Sequence, residues 1–276
     1  MARVLLVGCG DLGTAMAMQL HEASHEVVGV RKSAQPLPLE MLTLQLDVTQ
    51  ADTVKLLEQI SPEIIIYCVA ATAQTDENYY LHYVLGLHHV LLAQANNPNL
   101  KHVFFVSSTR VYGQHSDDVI DEGTPAKATD FGGHRLLEAE QLLQNLPCQS
   151  TVLRLSGIYG PGRLYLVNMA KDITRWPKEN HWSNRIHRDD AANFIVYLVN
   201  LALNGQSVHP LYIVTDAMPT AQYDVLSWIA NRMSLPQPQK LNHAVIQGKR
   251  LSNRRLVESG YQLKYPNYQI GYAELV

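Results

Sequence analysis

The feature that most constrains the fold is the glycine pattern GCGDLG (residues 8–13), which directly follows the apolar run RVLLV (residues 3–7). A GxGxxG pattern between a strand and a helix is typical of dinucleotide-binding folds. The first glycine permits a tight turn, the second lets backbone approach a pyrophosphate, and the third allows close helix–strand packing. A glycine-rich turn without a ligand is the alternative. We predict dinucleotide contacts at Gly8, Gly10, Asp11, Leu12 and Gly13.

Short β-rich runs alternate with amphipathic helical stretches through the first half of the chain. Predicted strands cover residues 3–7, 26–30, 42–46, 63–69, 102–108 and 150–155, and predicted helices lie near residues 11–22, 50–59, 76–96 and 130–145. Apolar runs without strict alternation are typical of strands that are buried on both faces of a parallel sheet. The pattern predicts an α/β protein with a Rossmann-type, doubly wound parallel sheet.

The second half is less regular and indicates a small C-terminal substrate lobe. It mixes Gly, Pro and aromatic residues over 159–182, followed by a predicted helix over 187–203, a strand over 210–214 and a helix near 219–233. We assign residues 1–155 to a dinucleotide-binding domain whose sheet also receives about residues 184–215. We assign residues 156–183 and 216–276 to the small lobe.

Composition argues against several kinds of partner. A formal charge of −3 and a pI near 6.4 give no electrostatic reason to expect binding to nucleic acid or to an anionic membrane. No apolar run reaches the ~18 residues of a membrane span. Cys9, Cys68 and Cys148 are widely spaced and form no CxxC pair, which argues against a disulfide framework or a zinc site. The chain opens without a basic segment or cleavage site, so we expect a cytoplasmic protein. We also expect no metal site.

The end of the second predicted strand bears on the choice of cofactor. Arg31 lies 18 positions after Gly13, about where a carboxylate binds the ribose 2′-hydroxyl in NAD sites. A cation there would pair instead with a 2′-phosphate, through charge-assisted hydrogen bonds worth roughly 1.5–3 kcal/mol each. We therefore predict NADP, with NAD as the alternative, and contacts from Arg31, Lys32 and Ser33. Solvated residues at a strand end are the alternative for this cluster.

Two further segments complete the predicted cofactor contacts. Asp47, in LDVT (residues 46–49), follows the third predicted strand and is positioned either to reach the adenine edge or to cap a turn. Val69, Ala70 and Ala71 follow the fourth strand and are predicted to line the same site.

Three later motifs follow the glycine pattern in order: FVSSTRVYG (105–113), LRLSGIYGPGR (153–163) and NRIHRDDAA (184–192). Together they resemble the extended short-chain dehydrogenase/reductase superfamily, in its NAD(P)-dependent epimerase/dehydratase group. The resemblance covers about residues 2–215, and SNRRLVESGYQLKYP (252–266) is similar to the C-terminal segment of that group. It implies a nicotinamide cofactor and a polar, sugar-nucleotide-like substrate.

The resemblance also implies a proton relay that this chain does not carry in its usual form. In the group, a Ser or Thr holds the substrate hydroxyl, a Tyr moves its proton, and a Lys four residues later assists the Tyr and binds the nicotinamide ribose. Ser108 matches the first position, whereas Phe131 and Arg135 stand at the Tyr and Lys positions, and Tyr83 stands at the position of an Asn that bends the preceding helix. The departures resemble an atypical, YeeZ-like branch of the superfamily.

These departures change the expected chemistry. Phe131 has no group that can transfer a proton, and Arg135 stays charged at physiological pH because the pKa of a guanidinium lies above ~12. Arg135 remains a candidate to hold the nicotinamide ribose or a substrate anion. The candidates for a replacement acid or base are His134, Tyr112, Tyr159 and Tyr165, with packing as the alternative for Tyr112 and Tyr159. The substrate contacts that the resemblance implies are Thr109, Tyr159, Arg163 and His187.

Two functions are compatible with this pattern. The first is an NADP-dependent oxidoreductase, epimerase or dehydratase with an altered proton relay. The second is a dinucleotide-binding protein without turnover, which senses the NADP redox state or serves another protein as a partner. The partner expected in the first case is a small molecule. A homodimer through the helices near 76–96 and 130–145 is compatible with either function, since the superfamily often pairs through them.

Overall fold

The computed structural model describes residues 1–114, 118–239 and 241–276, whose strands confirm the alternation of short apolar runs. The strands are β1 (Arg3–Val7), β2 (Glu26–Arg31), β3 (Leu42–Gln45), β4 (Ile64–Tyr67), β5 (His102–Ser108), β6 (Val119–Ile120), β7 (Gln149–Leu155), β8 (Gly157–Tyr159), β9 (Asn180–Ser183), β10 (Arg185–His187), β11 (Leu211–Val214), β12 (Thr220–Ala221), β13 (Val245–Gln247) and β14 (Arg250–Leu251).

The helices follow the predicted order. They are α1 (Asp11–Glu22), α2 (Ala51–Val54), α3 (Asp76–Tyr79), α4 (Gly86–Ala93), α5 (Phe131–Gln141), α6 (Tyr165–Ala170), α7 (Arg188–Leu203), α8 (Gln222–Arg232), α9 (Arg254–Glu258) and α10 (Tyr268–Ala273). Short 3-10 helices cover Lys55–Gln59, Thr109–Val111 and Ile173–Arg175, and a π-helix covers Tyr80–Leu85.

A seven-stranded sheet of order β11-β7-β5-β4-β1-β2-β3 forms the centre of the α/β architecture, as predicted. The parallel register places Val7 beside both Val30 and Tyr67, and Tyr67 beside Phe105. Every residue of β4 is buried, because helices cover both faces of the sheet. The carboxyl ends of β1, β2, β4 and β5 therefore lie along one edge, where ligands bind in sheets of this kind.

The chain divides into two units. The first comprises Met1–Gly113, Lys127–Arg154 and Ala192–Tyr212, and the second comprises Gln114–Ala126, Leu155–Ala191 and Ile213–Val276. The core of the second unit is built from α6, α8 and α10, with Val167, Leu226 and Tyr272 among its buried residues.

This division differs from the predicted domains in three segments. Residues 114–126 belong to the second unit because β6 pairs with β14. Residues 184–191 belong there because β10 pairs with β8, and residues 213–215 follow them. The pairing strands have only two or three residues each, which is too short to leave a pattern in the sequence.

None of the helices in the described ranges is both long enough and apolar enough to cross a membrane.

Candidate functional site

The turn between β1 and α1 has the geometry that the glycine pattern predicts. Gly8 adopts a φ of +103°, and its N–H donates to the Val30 carbonyl over 2.9 Å. A Cβ on Gly13 would lie 2.2 Å from the Gly8 carbonyl oxygen, so α1 packs on this turn only without a side chain there. A Cβ on Gly10, by contrast, would meet nothing within 4 Å, which leaves open space over the start of α1.

The start of α1 is a suitable place for phosphate oxygens. Gly10 is the N-cap of α1 and provides no side-chain hydrogen bond to the first N–H groups of the helix. These donors and the helix dipole favour an anion. Asp11 is exposed beside them, and Leu12 is buried in the core. A dinucleotide pyrophosphate fits this arrangement.

The residues predicted to select the cofactor lie at the end of β2. Arg31 makes one long hydrogen bond, from Nη2 to Gln35 Oε1 at 3.4 Å, and its Nε is buried without a partner among the described residues. Lys32 is instead paired with Asp47 at 2.8 Å, and Ser33 is exposed. Arg31 is thus the cation of this cluster that is least engaged by the protein.

Asp47 has the turn-capping geometry that was one of its two predicted roles. Its Oδ1 accepts hydrogen bonds from the N–H and the hydroxyl of Thr49, at 3.0 and 2.8 Å. Burial alone would raise the pKa of Asp47, but the hydrogen bonds from Lys32 and Thr49 lower it. Both oxygens are occupied, which favours the cap over a contact with adenine.

The loop after β4 carries Val69, Ala70 and Ala71 and begins at the edge where Gly8 lies, since β1 and β4 are paired in parallel. All three residues are at least partly exposed. The structure therefore brings these predicted contacts and the glycine turn to the same edge of the sheet. Whether they touch a cofactor stays a prediction.

Ser107 and Ser108, at the end of β5, have opposite environments. Ser107 is buried and donates to Glu140 over 2.7 Å, whereas Ser108 is only partly buried and its Oγ accepts from the N–H of Arg110 at 3.2 Å. The following residue, Thr109, is buried. Of the two serines, Ser108 is thus the more accessible one, and its contact with a substrate hydroxyl stays a prediction.

Arg135, at the position of the family's Lys, is held by two carboxylates. Its Nε and Nη2 donate to the two oxygens of Asp76 at 2.8 Å each, and its Nη1 donates to Glu138 Oε2 at 2.7 Å. The hydrogen bonds to these two carboxylates raise the pKa of Arg135 further above its usual value. These three hydrogen bonds use three of the five N–H donors of the guanidinium, and the two carboxylates offset its charge, which weakens its attraction for a substrate anion.

Neither predicted replacement acid lies in a favourable place. Tyr112 is completely buried, and its oxygen accepts from Arg154 Nη1 at 2.7 Å, which favours the packing alternative. His134 is exposed on α5, and no ring contact with the neighbouring aromatic residues is found for it among the described residues. Their catalytic roles stay predictions without support from this geometry.

Two of the predicted substrate residues of the second unit, Tyr159 and His187, lie in a buried aromatic group. Tyr159 stacks on Tyr272 at 4.3 Å between ring centroids and meets His187 edge-on at 5.2 Å. His187 also lies 3.8 Å from the ring of Tyr265, and burial lowers its pKa. Arg163 is partly exposed in the loop after β8. Tyr165, at the start of α6, is 65% exposed, so it is free of this group.

Asp216 is a buried carboxyl in the second unit that the sequence analysis did not single out. It is 1% exposed, its Oδ1 accepts from the Met218 N–H at 3.1 Å, and its Oδ2 has no partner among the described residues. Burial raises its pKa to about 7, although the charge of Arg185 and the Met218 hydrogen bond act in the opposite direction. In the folded protein, Asp216 therefore stays protonated at pH values well above the usual pKa of a carboxyl group.

This carboxyl should make stability depend on pH. The stabilising preference for protonated Asp216 is complete below pH 3.8 and is lost as the pH rises to about 7. We expect Asp216→Asn to raise the melting temperature at pH 8 but not at pH 4, with a gain of on the order of 3–4 kcal/mol at most. Thermal unfolding at both pH values measures this. Asp52→Asn, at a carboxylate whose side chain is 93% exposed, is the control, and an equal effect of both variants would contradict the assignment.

One cluster in the first unit was missed by the sequence analysis. Arg110 lies 5.0 Å from the ring centroids of both Tyr79 and Phe131, and its Nη1 donates to the Tyr79 hydroxyl at 2.7 Å. Tyr83 joins them, with its ring centroid 5.2 Å from that of Tyr79. The spacing of four between Tyr79 and Tyr83 placed both on one helix face, which was the available signal.

Tyr83, which stands at the position of the family's Asn, lies in a helical segment that departs from regular α-helix. It lies within the π-helix Tyr80–Leu85, and π-helical turns are frequent at functional sites. Burial raises the pKa of Tyr83 to about 12, together with the nearby Tyr79, while a hydrogen bond with the Ala71 backbone lowers it. The aromatic cluster is thereby linked to the predicted cofactor loop.

Among the described residues, no group of three or more His, Cys, Asp or Glu could hold a metal ion.

Comparisons with known proteins agree with this architecture. A structure from Methylobacillus flagellatus, described as a candidate NAD-dependent epimerase/dehydratase, is 47% identical to this chain with a TM-score of 0.91, and covers 99% of this chain and 97% of that chain. The comparison with curated proteins gave no match.

Two UDP-glucose 4-epimerases share the fold. That of Thermus thermophilus, in complex with NAD, is 17% identical with a TM-score of 0.79 and covers 98% of this chain and 96% of that chain. That of Thermotoga maritima, with UDP-glucose, is 14% identical with a TM-score of 0.81 and covers 99% and 98%. The profile of the NAD dependent epimerase/dehydratase family matches residues 4–212. The chain thus belongs to the NAD-dependent epimerase/dehydratase family.

Proposed function

We propose that this protein binds NADP(H) in preference to NAD(H), and that it is an oxidoreductase, epimerase or dehydratase acting on a polar, sugar-nucleotide-like substrate with a non-standard active site. The observation that carries the proposal is the turn at Gly8 and Gly13, with the under-engaged Arg31 at its rim. A bound nicotinamide would accept or donate a hydride. The glycine turn and α1 would hold the pyrophosphate, and Arg31 would hold the 2′-phosphate.

The choice of substrate class rests on similarity rather than on a motif. The solved relatives include proteins described with UDP-glucose and with NAD, and this chain matches the family profile over residues 4–212. Ser108, which is partly exposed at the end of β5, is available to hold a substrate hydroxyl. We also propose that the protein works in the cytoplasm and that it forms a homodimer. Sedimentation of the purified protein would test the homodimer.

Arg31 provides the direct test of cofactor preference. We expect the natural protein to bind NADPH at least about tenfold more tightly than NADH, because a hydrogen-bonded charge pair is worth roughly 1.5–3 kcal/mol. Replacing Arg31 with Asp should reverse the order, since a carboxylate repels the 2′-phosphate and accepts from the 2′-hydroxyl. Titration calorimetry with both cofactors measures this.

Lys32→Ala is the matched control, because Lys32 is already paired with Asp47. It should change the preference less than Arg31→Asp does. Equal affinity of the natural protein for both cofactors, or a preference for NADH, would show that Arg31 does not contact the 2′-phosphate.

Two observations favour a second function. Phe131 has no hydroxyl, and Arg135 forms ion pairs with two carboxylates, Asp76 and Glu138. Both are features of a protein that binds NADP without turning over a substrate, as a redox sensor or an interaction partner. Oxidation of NADPH with a panel of ketones and sugar nucleotides, measured beside a binding titration, separates the two functions.

A further inference from the structure

The phenol that is missing at position 131 has a counterpart on a different helix. Tyr79 packs its ring edge-on against the ring of Phe131, with 5.4 Å between centroids. Arg110 spans both rings and donates from Nη1 to the Tyr79 hydroxyl at 2.7 Å. A tyrosine hydroxyl and a cation are therefore in direct contact beside the position where the family carries its tyrosine.

We propose that Tyr79 and Arg110 form a binding site for the carbonyl oxygen of a keto substrate, in which Tyr79 supplies the proton and Arg110 stabilises the negative charge left on the phenol oxygen. This inference rests on the proposed function as an enzyme and assigns its proton donor. Neither residue stands at the position of the family's Tyr or Lys.

The side chain of Gln74 shows what such a site would hold. Its Oε1 accepts hydrogen bonds from the Tyr79 hydroxyl at 3.1 Å and from Arg110 Nη1 at 2.9 Å. The amide carbonyl of Gln74 thus stands in for a substrate carbonyl oxygen that meets two convergent donors, as in an oxyanion hole. Gln74 is exposed, so a ligand can take its place, whereas Tyr79 is only 6% exposed and is covered until Gln74 moves.

The site is held in place from two sides. Asp130 accepts from Arg110 Nε at 2.9 and 3.0 Å and caps α5 through the Gly133 N–H at 2.8 Å. This fixes the guanidinium while Nη1 remains directed at Gln74 and Tyr79. A Cβ on Gly132 would lie 2.4 Å from Arg110 Cζ, so the glycine after Phe131 makes room for the guanidinium.

The position also suits transfer from a nicotinamide. The backbone N–H of Arg110 donates to Ser108 Oγ, and Tyr83, beside Tyr79, lies near enough to the Ala71 backbone for that backbone to lower the pKa of its phenol. Ser108 and Ala71 are the predicted substrate and cofactor contacts on this edge of the sheet. The proposed donor therefore lies among the residues that would surround the reacting carbonyl.

In the proposed reduction, the carbonyl carbon would receive a hydride, with its electron pair, from a bound nicotinamide dinucleotide, and the carbonyl π electrons would form a new O–H bond with the Tyr79 proton. The Tyr79 O–H bond breaks, its electrons remain on the phenolate beside Arg110, and water returns the proton. Oxidation of the alcohol is the reverse.

The test uses a neutral ketone, dihydroxyacetone labelled with ¹³C at the carbonyl carbon, and NADP⁺-saturated protein. Gln74→Ala should bind this probe about tenfold more tightly than the natural protein and shift the carbonyl resonance downfield, because both donors become available. Adding Tyr79→Phe to Gln74→Ala should reverse the gain and most of the shift. Adding Tyr80→Phe instead should leave both unchanged, because Tyr80 is 37% exposed and keeps its ring in this variant, which makes it the matched control.

Arg110→Met in the same background should also weaken binding by about tenfold, since it removes a charged donor. For any substrate that the ketone and sugar-nucleotide panel identifies, Tyr79→Phe should lower kcat about 10²- to 10⁴-fold and raise KM by no more than about tenfold. Circular dichroism checks folding, and Tyr79→Phe retains the ring that packs on Phe131.

Equal probe binding by Gln74→Ala with and without Tyr79→Phe would overturn the proposal. Equal binding of acetate and dihydroxyacetone would also overturn it, because the pair would then be a carboxylate site. If these variants retain NADPH binding but do not respond to the probe, only this inference fails. If the natural protein binds no NADPH, the proposed function fails first.

Discussion

Replacing Glu140 with alanine is expected to lower the free energy of unfolding by about 3–5 kcal/mol, because it leaves a buried guanidinium without its carboxylate. Arg154 donates from Nε and Nη2 to the two oxygens of Glu140, at 3.0 and 2.6 Å, and both side chains are 9% exposed. Burial would lower the pKa of Arg154, but the hydrogen bonds and charge of Glu140 raise it, so the arginine stays charged in the folded protein.

The loss extends beyond the ion pair. Ser107 donates its hydroxyl to Glu140 Oε1 at 2.7 Å, and Tyr112 accepts from Arg154. Alanine at position 140 would therefore leave the buried Ser107 hydroxyl unpaired as well as the guanidinium. Because Ser107 immediately precedes Ser108, the change should also loosen the end of β5 where the substrate is expected.

Urea unfolding of matched variants measures the effect. Glu138→Ala removes a carboxylate from the same helix, but its partner Arg135 is partly exposed and also bound to Asp76, so a loss of at most about 1 kcal/mol is expected. Glu140→Leu combined with Arg154→Met should recover much of the stability, since no charge then remains buried. If Glu140→Ala costs no more than Glu138→Ala, the buried pair is not the stabilising unit.

Features that depend on neighbouring residues could be predicted from the sequence. The glycine turn follows from Gly8, Gly10 and Gly13, whose spacing serves one strand, one turn and one helix. The strands of the central sheet follow from their apolar runs; β4 is buried throughout, whereas the edge strand β3 is exposed or partly exposed. Because parallel strands end at one edge, the placement of Arg31, Ala70 and Ser108 along that edge followed as well.

Features that depend on contacts between distant segments could not be predicted. Arg135 was predicted as a candidate to hold the nicotinamide ribose or a substrate anion, but its ion pair with Asp76, 59 positions away, was not predicted. Tyr79 and Arg110 are 31 positions apart and nothing in either segment specifies their contact. The assignment of residues 114–126 to the second unit depends on a strand of two residues. Sequence patterns report which face of an element is buried, but not which side chain of another element meets it.

Gly10 and Gly13 should respond differently to replacement by alanine. Gly13→Ala places a methyl group 2.2 Å from the Gly8 carbonyl oxygen, so α1 must move away from the turn. We expect a loss of about 1–3 kcal/mol in stability from this overpacking, together with a loss of cofactor affinity of at least about a hundredfold. Gly10→Ala meets nothing within 4 Å and should leave the melting temperature of the free protein unchanged.

The methyl group of Gly10→Ala would nevertheless occupy the space through which a pyrophosphate approaches the start of α1. It should therefore weaken NADPH binding about tenfold or more without destabilising the fold, and reduce the rise in melting temperature that saturating NADPH gives the natural protein. Fluorescence titration and thermal unfolding, each with and without NADPH, measure both effects. Natural affinity in Gly10→Ala would mean that the pyrophosphate does not pass over this turn. A parallel loss of stability in both variants would mean that Gly10 serves packing, so the difference between the two glycines decides whether the open space at α1 is a binding site.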